Sequence, residues 1–115
     1  MSSSPIKLNL SEGSVIFAFS PTAARELQSA IAVLMQSLKA TAARAAGSKP
    51  EPQPPLEYRH TGEVFLEVFC NPNIWSSPFA AKLLITLRDD RIRLTTEAEL
   101  TRINEDIAQY LEQYG

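Results

Sequence analysis

The chain has 115 residues, enough for one domain with a continuous core and too few for two domains of normal size. Hydrophobic residues make up 44% and charged residues 21%, a balance that excludes a wholly disordered polypeptide. Lys and Arg number 11 against 13 Asp and Glu, giving a net charge of −2 with no basic block to neutralise a row of phosphates, which argues against nucleic acid as a partner.

In chain order, "IKLNL" alternates, with Ile6, Leu8 and Leu10 on one side and Lys7 and Asn9 on the other, and "VIFAF" at 15–19 follows the turn-like "SEGS". The two runs predict a β-hairpin. Ser20 followed by Pro21 is a helix-start signal: a side-chain oxygen for the unpaired first amides, then a ring whose fixed φ suits the first helical position. Leu27, Ile31, Leu34 and Leu38 recur at spacings of four, three and four, so an amphipathic helix is expected from Pro21 to near Gly47. "SKPEPQPP" at 48–55 lacks backbone donors at its prolines and reads as a stiff surface connector.

"EVFLEVFC" at 63–70 predicts a strand with Val64, Leu66, Val68 and Cys70 on one face and Glu63, Phe65, Glu67 and Phe69 on the other. "AKLLITLRDDRIRLTT" predicts two more strands joined at Asp89-Asp90, with Leu83, Ile85, Leu87, Ile92 and Leu94 facing inward. Thr96 and Glu99 match the T-x-x-E capping box ahead of a second helical stripe of Leu100, Ile103, Ile107 and Leu111. The expected fold is α+β, in the order β-β-α-β-β-β-α: a single antiparallel sheet of about five strands with two helices on one face. All of it forms one domain, 1–115, with the Pro-rich connector at 48–55.

Catalytic and metal motifs are sparse. Cys70 with His60 as its base would make a nucleophilic pair, but Cys70 continues an apolar face and reads as a buried thiol. One histidine and one cysteine, with no H-x-x-x-H, C-x-x-C or Asp-rich loop, leave no structural zinc or calcium pattern. Glu63 and Glu67 are about 13 Å apart along a strand, too far to share a proton, and read as partners for arginines. Four glycines, without a G-x-G-x-x-G or Walker sequence, make no phosphate cradle. "RDDRIR" at 88–93 is a mixed-charge, solvated hairpin tip.

What remains is the sheet face that the helices leave open. Its expected occupants are Phe65, Phe69 and Leu84 among Glu63, Glu67, Arg88, Arg91 and Arg93, with Ile16 and Ala18 from the first hairpin. Apolar residues rimmed by both signs of charge mark contact with protein, unless a terminus or the connector closes the face. Trp75, in the loop "NPNIWSSPF" between Pro72 and Pro78, is either a plug over the core edge or an anchor for a partner.

The stretches "AAKLLITLRDDRIRLTTEAELTRINEDIAQYLEQYG" and "YRHTGEVFLEVFCNPNIW", the latter following the proline-rich break, resemble small cyanobacterial assembly-factor proteins, such as the carboxysome shell-assembly chaperones. The resemblance covers about 60 residues in overall style, without a catalytic motif. It implies a non-enzymatic helper that binds an extended segment of a client in a photosynthetic cytoplasm.

The sequence thus predicts a cytoplasmic protein-binding module without cofactor, catalytic residue or metal. Phe65, Phe69, Trp75, Leu84, Arg88 and Arg93 are its contact residues and a protein or peptide segment its partner. No 18-residue apolar span is present to engage a membrane, and the start "MSSSPIKLNL" lacks the features of a signal peptide. Homodimerisation is expected as a means of covering the apolar sheet face. The alternative is a small-molecule or enzymatic cleft between the 71–79 loop and the connector, built on Cys70, His60 and Tyr58.

Overall fold

A computed structural model describes residues 4–42 and 52–115. Its elements are β1 (Ser4–Asn9), β2 (Ser14–Phe19), α1 (Pro21–Ala42), β3 (Leu56–His60), β4 (Phe65–Cys70), a 3-10 turn (Pro72–Ile74), β5 (Lys82–Arg88), β6 (Arg93–Glu99) and α2 (Leu100–Tyr114).

The α+β class and the antiparallel pairing match the sequence reading, but the single sheet of about five strands does not. Six strands form two sheets, the ribbon β1-β2 and a four-stranded sheet in the order β3-β4-β5-β6. The extra strand is "LEYRH". Its alternation, with Leu56, Tyr58 and His60 turned inward and Glu57 and Arg59 outward, is hidden in the sequence behind the proline run. Among the described residues the ribbon meets the backbone of the larger sheet at one point, where the Ser11 amide in its turn donates to the Glu97 carbonyl of β6 at 3.0 Å.

The first turn is closed by the Leu10 amide donating to the Gly13 carbonyl at 2.9 Å, with Gly13 at φ +90°, a conformation that other L-residues rarely adopt. The expected cap of α1 is present: Ser20 Oγ accepts from the Ala23 amide at 3.2 Å. The expected end near Gly47 lies outside the described residues, as does the 48–51 part of the connector. Pro52–Pro55 forms irregular chain, and Gln53 is fixed there by Asn73. The Asn73 side chain accepts from the Gln53 amide at 2.8 Å and donates to the Gln53 carbonyl at 2.9 Å. Gln53 stands opposite Asn73 in the same register that sets Leu56 opposite Cys70, so one side-chain amide continues the β3–β4 ladder where the prolines cannot.

Three further expectations are corrected. β4 begins at Phe65 rather than Glu63. Thr96 is not a helix cap but the strand partner of Ile85, and α2 starts only at Leu100. Glu99 occupies the cap position without a side-chain cap bond, because extended pairing through Glu99 outcompetes an earlier turn of helix. Ile92 and Leu94 are not core residues, being 67% and 36% exposed, since Ile92 lies in the hairpin tip and Leu94 at the end of the sheet.

The core lies between the inner face of the four-stranded sheet, the two helices and the ribbon. Leu66, Val68 and Cys70 of β4 and Leu83, Ile85 and Leu87 of β5 meet Leu27, Ile31, Leu34 and Leu38 of α1 and Ile103 and Ile107 of α2 in one buried cluster. The ribbon contributes Ile6, Leu8, Phe17 and Phe19. Full burial of each such side chain contributes about 1.5–3 kcal/mol.

A polar clasp joins the ribbon to α2. Asp106, 6% exposed, accepts from the Asn9 amide through Oδ2 at 2.7 Å and from Asn9 Nδ2 through Oδ1 at 2.8 Å. One turn on, Tyr110 Oη donates to the Ser4 carbonyl at 2.9 Å. Replacing a buried charged acceptor leaves its donors unsatisfied. Asp106→Ala is therefore expected to lower unfolding stability in urea by about 2 kcal/mol. Arg102, exposed and 3.8 Å from the same carboxylate, should tolerate alanine within about 0.5 kcal/mol.

Candidate partner-binding face

Side chains alternate along a strand, so burying Leu66, Val68 and Cys70 turns Phe65, Glu67 and Phe69 to the opposite face. The strand registers arrange this outer face in rows. Glu57, Phe69, Leu84 and Glu97 are successive cross-strand neighbours from β3 to β6. The next row is Arg59, Glu67, Thr86 and Thr95, and the third is Phe65, Arg88 and Arg93. Five of the six expected contact residues are thereby brought together: Phe65, Phe69, Leu84, Arg88 and Arg93.

The chemistry differs from row to row. Phe69 and Leu84, 37% and 43% exposed, form an apolar pair between two glutamates. A shallow hollow of about 270 Å³ lies beside them, bounded by Glu57, Arg59, Glu67, Phe69 and Leu84. Arg59 Nε donates to Glu67 Oε2 at 2.6 Å, an exposed ion pair that raises the guanidinium pKa through the hydrogen bond and the carboxylate charge. In the third row the Arg88 guanidinium lies 4.5 Å from the centre of the Phe65 ring, so this phenylalanine is already covered by a cation. Arg88 and Arg93, directly opposed in register, concentrate positive charge at that end of the face.

Trp75 stands apart from this face. It is half-buried and packs against the core just after the 3-10 turn. Burial pushes the Cys70 thiol up from 9.0 to about 11, and the neighbouring Trp75 side chain opposes part of that rise. The loop instead exposes Ile74 (68%) and Phe79 (83%), which the sequence reading passed over in favour of the only tryptophan. Glu57 and Arg59 were missed too, because the residues of β3, between the 48–55 connector and the expected strand at 63–70, were assigned to no element. The alternation of Leu56, Tyr58 and His60 was the signal that could have found them.

The groups of the alternative cleft do not converge. Cys70 stands opposite Leu56 at one end of β3, and His60 lies four residues along that strand, about 13 Å away at the usual rise. His60 packs edge-on against Phe19 with ring centres 5.4 Å apart. Tyr58 Oη is occupied by the Ala23 carbonyl at 3.0 Å, and burial pushes its pKa up from 10.0 to about 12. A separate apolar hollow of about 180 Å³ opens between the ribbon and the β5-β6 tip, lined by Val15, Phe17, Val64, Leu87, Ile92 and Leu94. Among the described residues no cluster of three or more His, Cys, Asp or Glu could hold a metal ion, and no helix is long and apolar enough to cross a membrane.

The raised pKa values set the alkaline response. Cys70 ionises near 9.0 when unfolded and near 11 when folded, so the unfolded chain releases its proton first and stability falls as pH rises through that window. Tyr58 acts with the same sign between 10.0 and about 12. The urea midpoint should decline from pH 9 upward, and Cys70→Ala should flatten the first part of the decline. A midpoint that is independent of pH between 9 and 11 would show the thiol to be solvated.

Comparison with protein-family models, curated proteins and solved structures gives no match for this chain.

Proposed function

We propose that the protein is a non-enzymatic protein-binding module, an assembly helper that holds an extended or terminal segment of a client against the outer face of the four-stranded sheet. The observation that carries this reading is the Phe69–Leu84 pair, exposed at the centre of a sheet face that no described element covers and flanked by ordered charge. Exposed apolar residues with a charged rim favour a polypeptide ligand. Arg88 and Arg93 favour acidic or carboxylate-bearing residues at one end of the segment, and the hollow beside Phe69 accepts an apolar side chain. The resemblance to assembly factors points the same way and suggests a cytoplasmic setting. Trp75 contributes by supporting the start of the 71–81 loop, and Ile74 and Phe79 offer a second apolar contact there.

The test is selection from a random peptide library on immobilised protein, followed by affinity measurement with face variants. Enriched peptides should pair apolar with acidic residues. Phe69→Ala and Leu84→Ala should each weaken them by about 2 kcal/mol, roughly 30-fold, without moving the urea midpoint by more than about 0.5 kcal/mol. Arg88→Ala should reduce binding chiefly at low salt. Peptides whose affinity is indifferent to Phe69 and Leu84 would contradict the assignment.

A further inference from the structure

Among the described residues β3 is an edge strand, paired only with β4, whereas the opposite edge at β6 has its Glu97 carbonyl engaged by Ser11. An open edge is a template for another strand, and natural proteins blunt it with charge, proline and short length. β3 has all three, being five residues long, preceded by Pro54 and Pro55, and charged at Glu57 and Arg59. The order of its charges does more than repel. Glu57 and Arg59 lie on the same face, two residues apart and of opposite sign, on either side of Tyr58.

We infer that β3 pairs antiparallel with β3 of a second copy of this chain about a two-fold axis at Tyr58, joining the two sheets into one of eight strands. That register places Glu57 opposite Arg59 of the second copy, and Arg59 opposite its Glu57. Cross-strand pairs of opposite charge stabilise a sheet, and like charges opposite each other destabilise it. A slip of two residues one way sets Glu57 against Glu57, and the other way Arg59 against Arg59. A slip of one residue turns the inner face of one strand outward. The charge pattern thus admits a single antiparallel register.

Apolar cover exists on the inner side of the same edge. Ala30 and Val33 of α1, the latter 64% exposed, line a hollow of about 240 Å³ together with Pro54, Pro55 and Leu56. In the dimer, the flanks of the two α1 helices approach across the axis.

The consequence for binding rests on the proposed function. The 270 Å³ hollow beside Phe69 adjoins this edge, and Glu57 forms its rim. Arg59 of the second copy comes to lie beside that Glu57, in the row that continues through Phe69 and Leu84. Each hollow is then closed by a residue from the other chain, and the client meets two symmetry-related sites on one continuous face.

Sedimentation equilibrium at micromolar concentration tests the pairing without reference to any ligand. Wild type should give twice the 12.7 kDa chain mass. Glu57→Arg makes the edge wholly positive and Arg59→Glu makes it wholly negative, so each alone should weaken the dimer by about tenfold or more. An equimolar mixture of the two variants should recover it as a heterodimer, because every cross-axis pair is again of opposite sign. Circular dichroism of each variant checks that it is folded. A wild-type mass of 12.7 kDa, a dimer indifferent to both substitutions, or no recovery in the mixture overturns the inference. A monomer that still binds peptides through Phe69 leaves the proposed function standing, whereas a dimer that binds none removes that reading and keeps the pairing.

Discussion

The two-residue period of β4 is the constraint from which the rest follows. Leu66, Val68 and Cys70 are buried under the helices as a block, and backbone geometry then commits Phe65, Glu67 and Phe69 to the other side. A one-residue slip against β5 would exchange the two sets, placing Glu67 in the core and three apolar side chains in water. The cost of a buried, unpaired carboxylate fixes the register as firmly as the gain from the leucines and valines. The outer face is therefore a by-product of the core, and its chemistry is decided by which residues occupy the alternate positions.

Those positions hold more than solubility requires. Phe65 is partly screened by Arg88, and Glu67 is paired with Arg59, so two of the three outward residues of β4 are already engaged within the chain. Phe69, with Glu57 and Leu84 as its cross-strand neighbours, keeps 37% of its surface exposed. The ribbon and both helices cover the inner side. Through Ser11, the turn of the ribbon also closes part of the β6 edge, while the Asn9–Asp106 clasp fixes the ribbon to the helix. Among the described residues the covering elements thus lie on one face and one edge, and none lies over the outer face or pairs with the free edge of β3.

The sequence disclosed the elements with strong periodicity and missed those whose signals compete. The hairpin at its turn, the Ser20 cap, the α1 stripe and the β4 alternation were legible because each rests on local residues alone. β3 was not, because five residues behind four prolines carry too few alternations to stand out from a connector, and its partner β4 is needed to define it. The T-x-x-E pattern at Thr96 misled for the opposite reason: a valid local signal lost to pairing with β5, which uses the backbone of every residue up to Glu99. Of the six residues expected to make contact, the five on β4, β5 and β6 share one face as the strand alternation implies. Trp75 was singled out by residue type, but its environment depends on packing against the core, which no sequence pattern encodes.

Site-specific photo-crosslinking tests most directly the claim that the outer face receives another polypeptide. A photoreactive phenylalanine analogue in place of Leu84, irradiated in a lysate of the source cell, should form one dominant adduct with a client chain. The same probe at Lys7, on the exposed side of the ribbon, should form none. Adducts from the positions of Ile74 or Phe79 with none from Leu84 would move the binding site to the 71–81 loop and contradict the account.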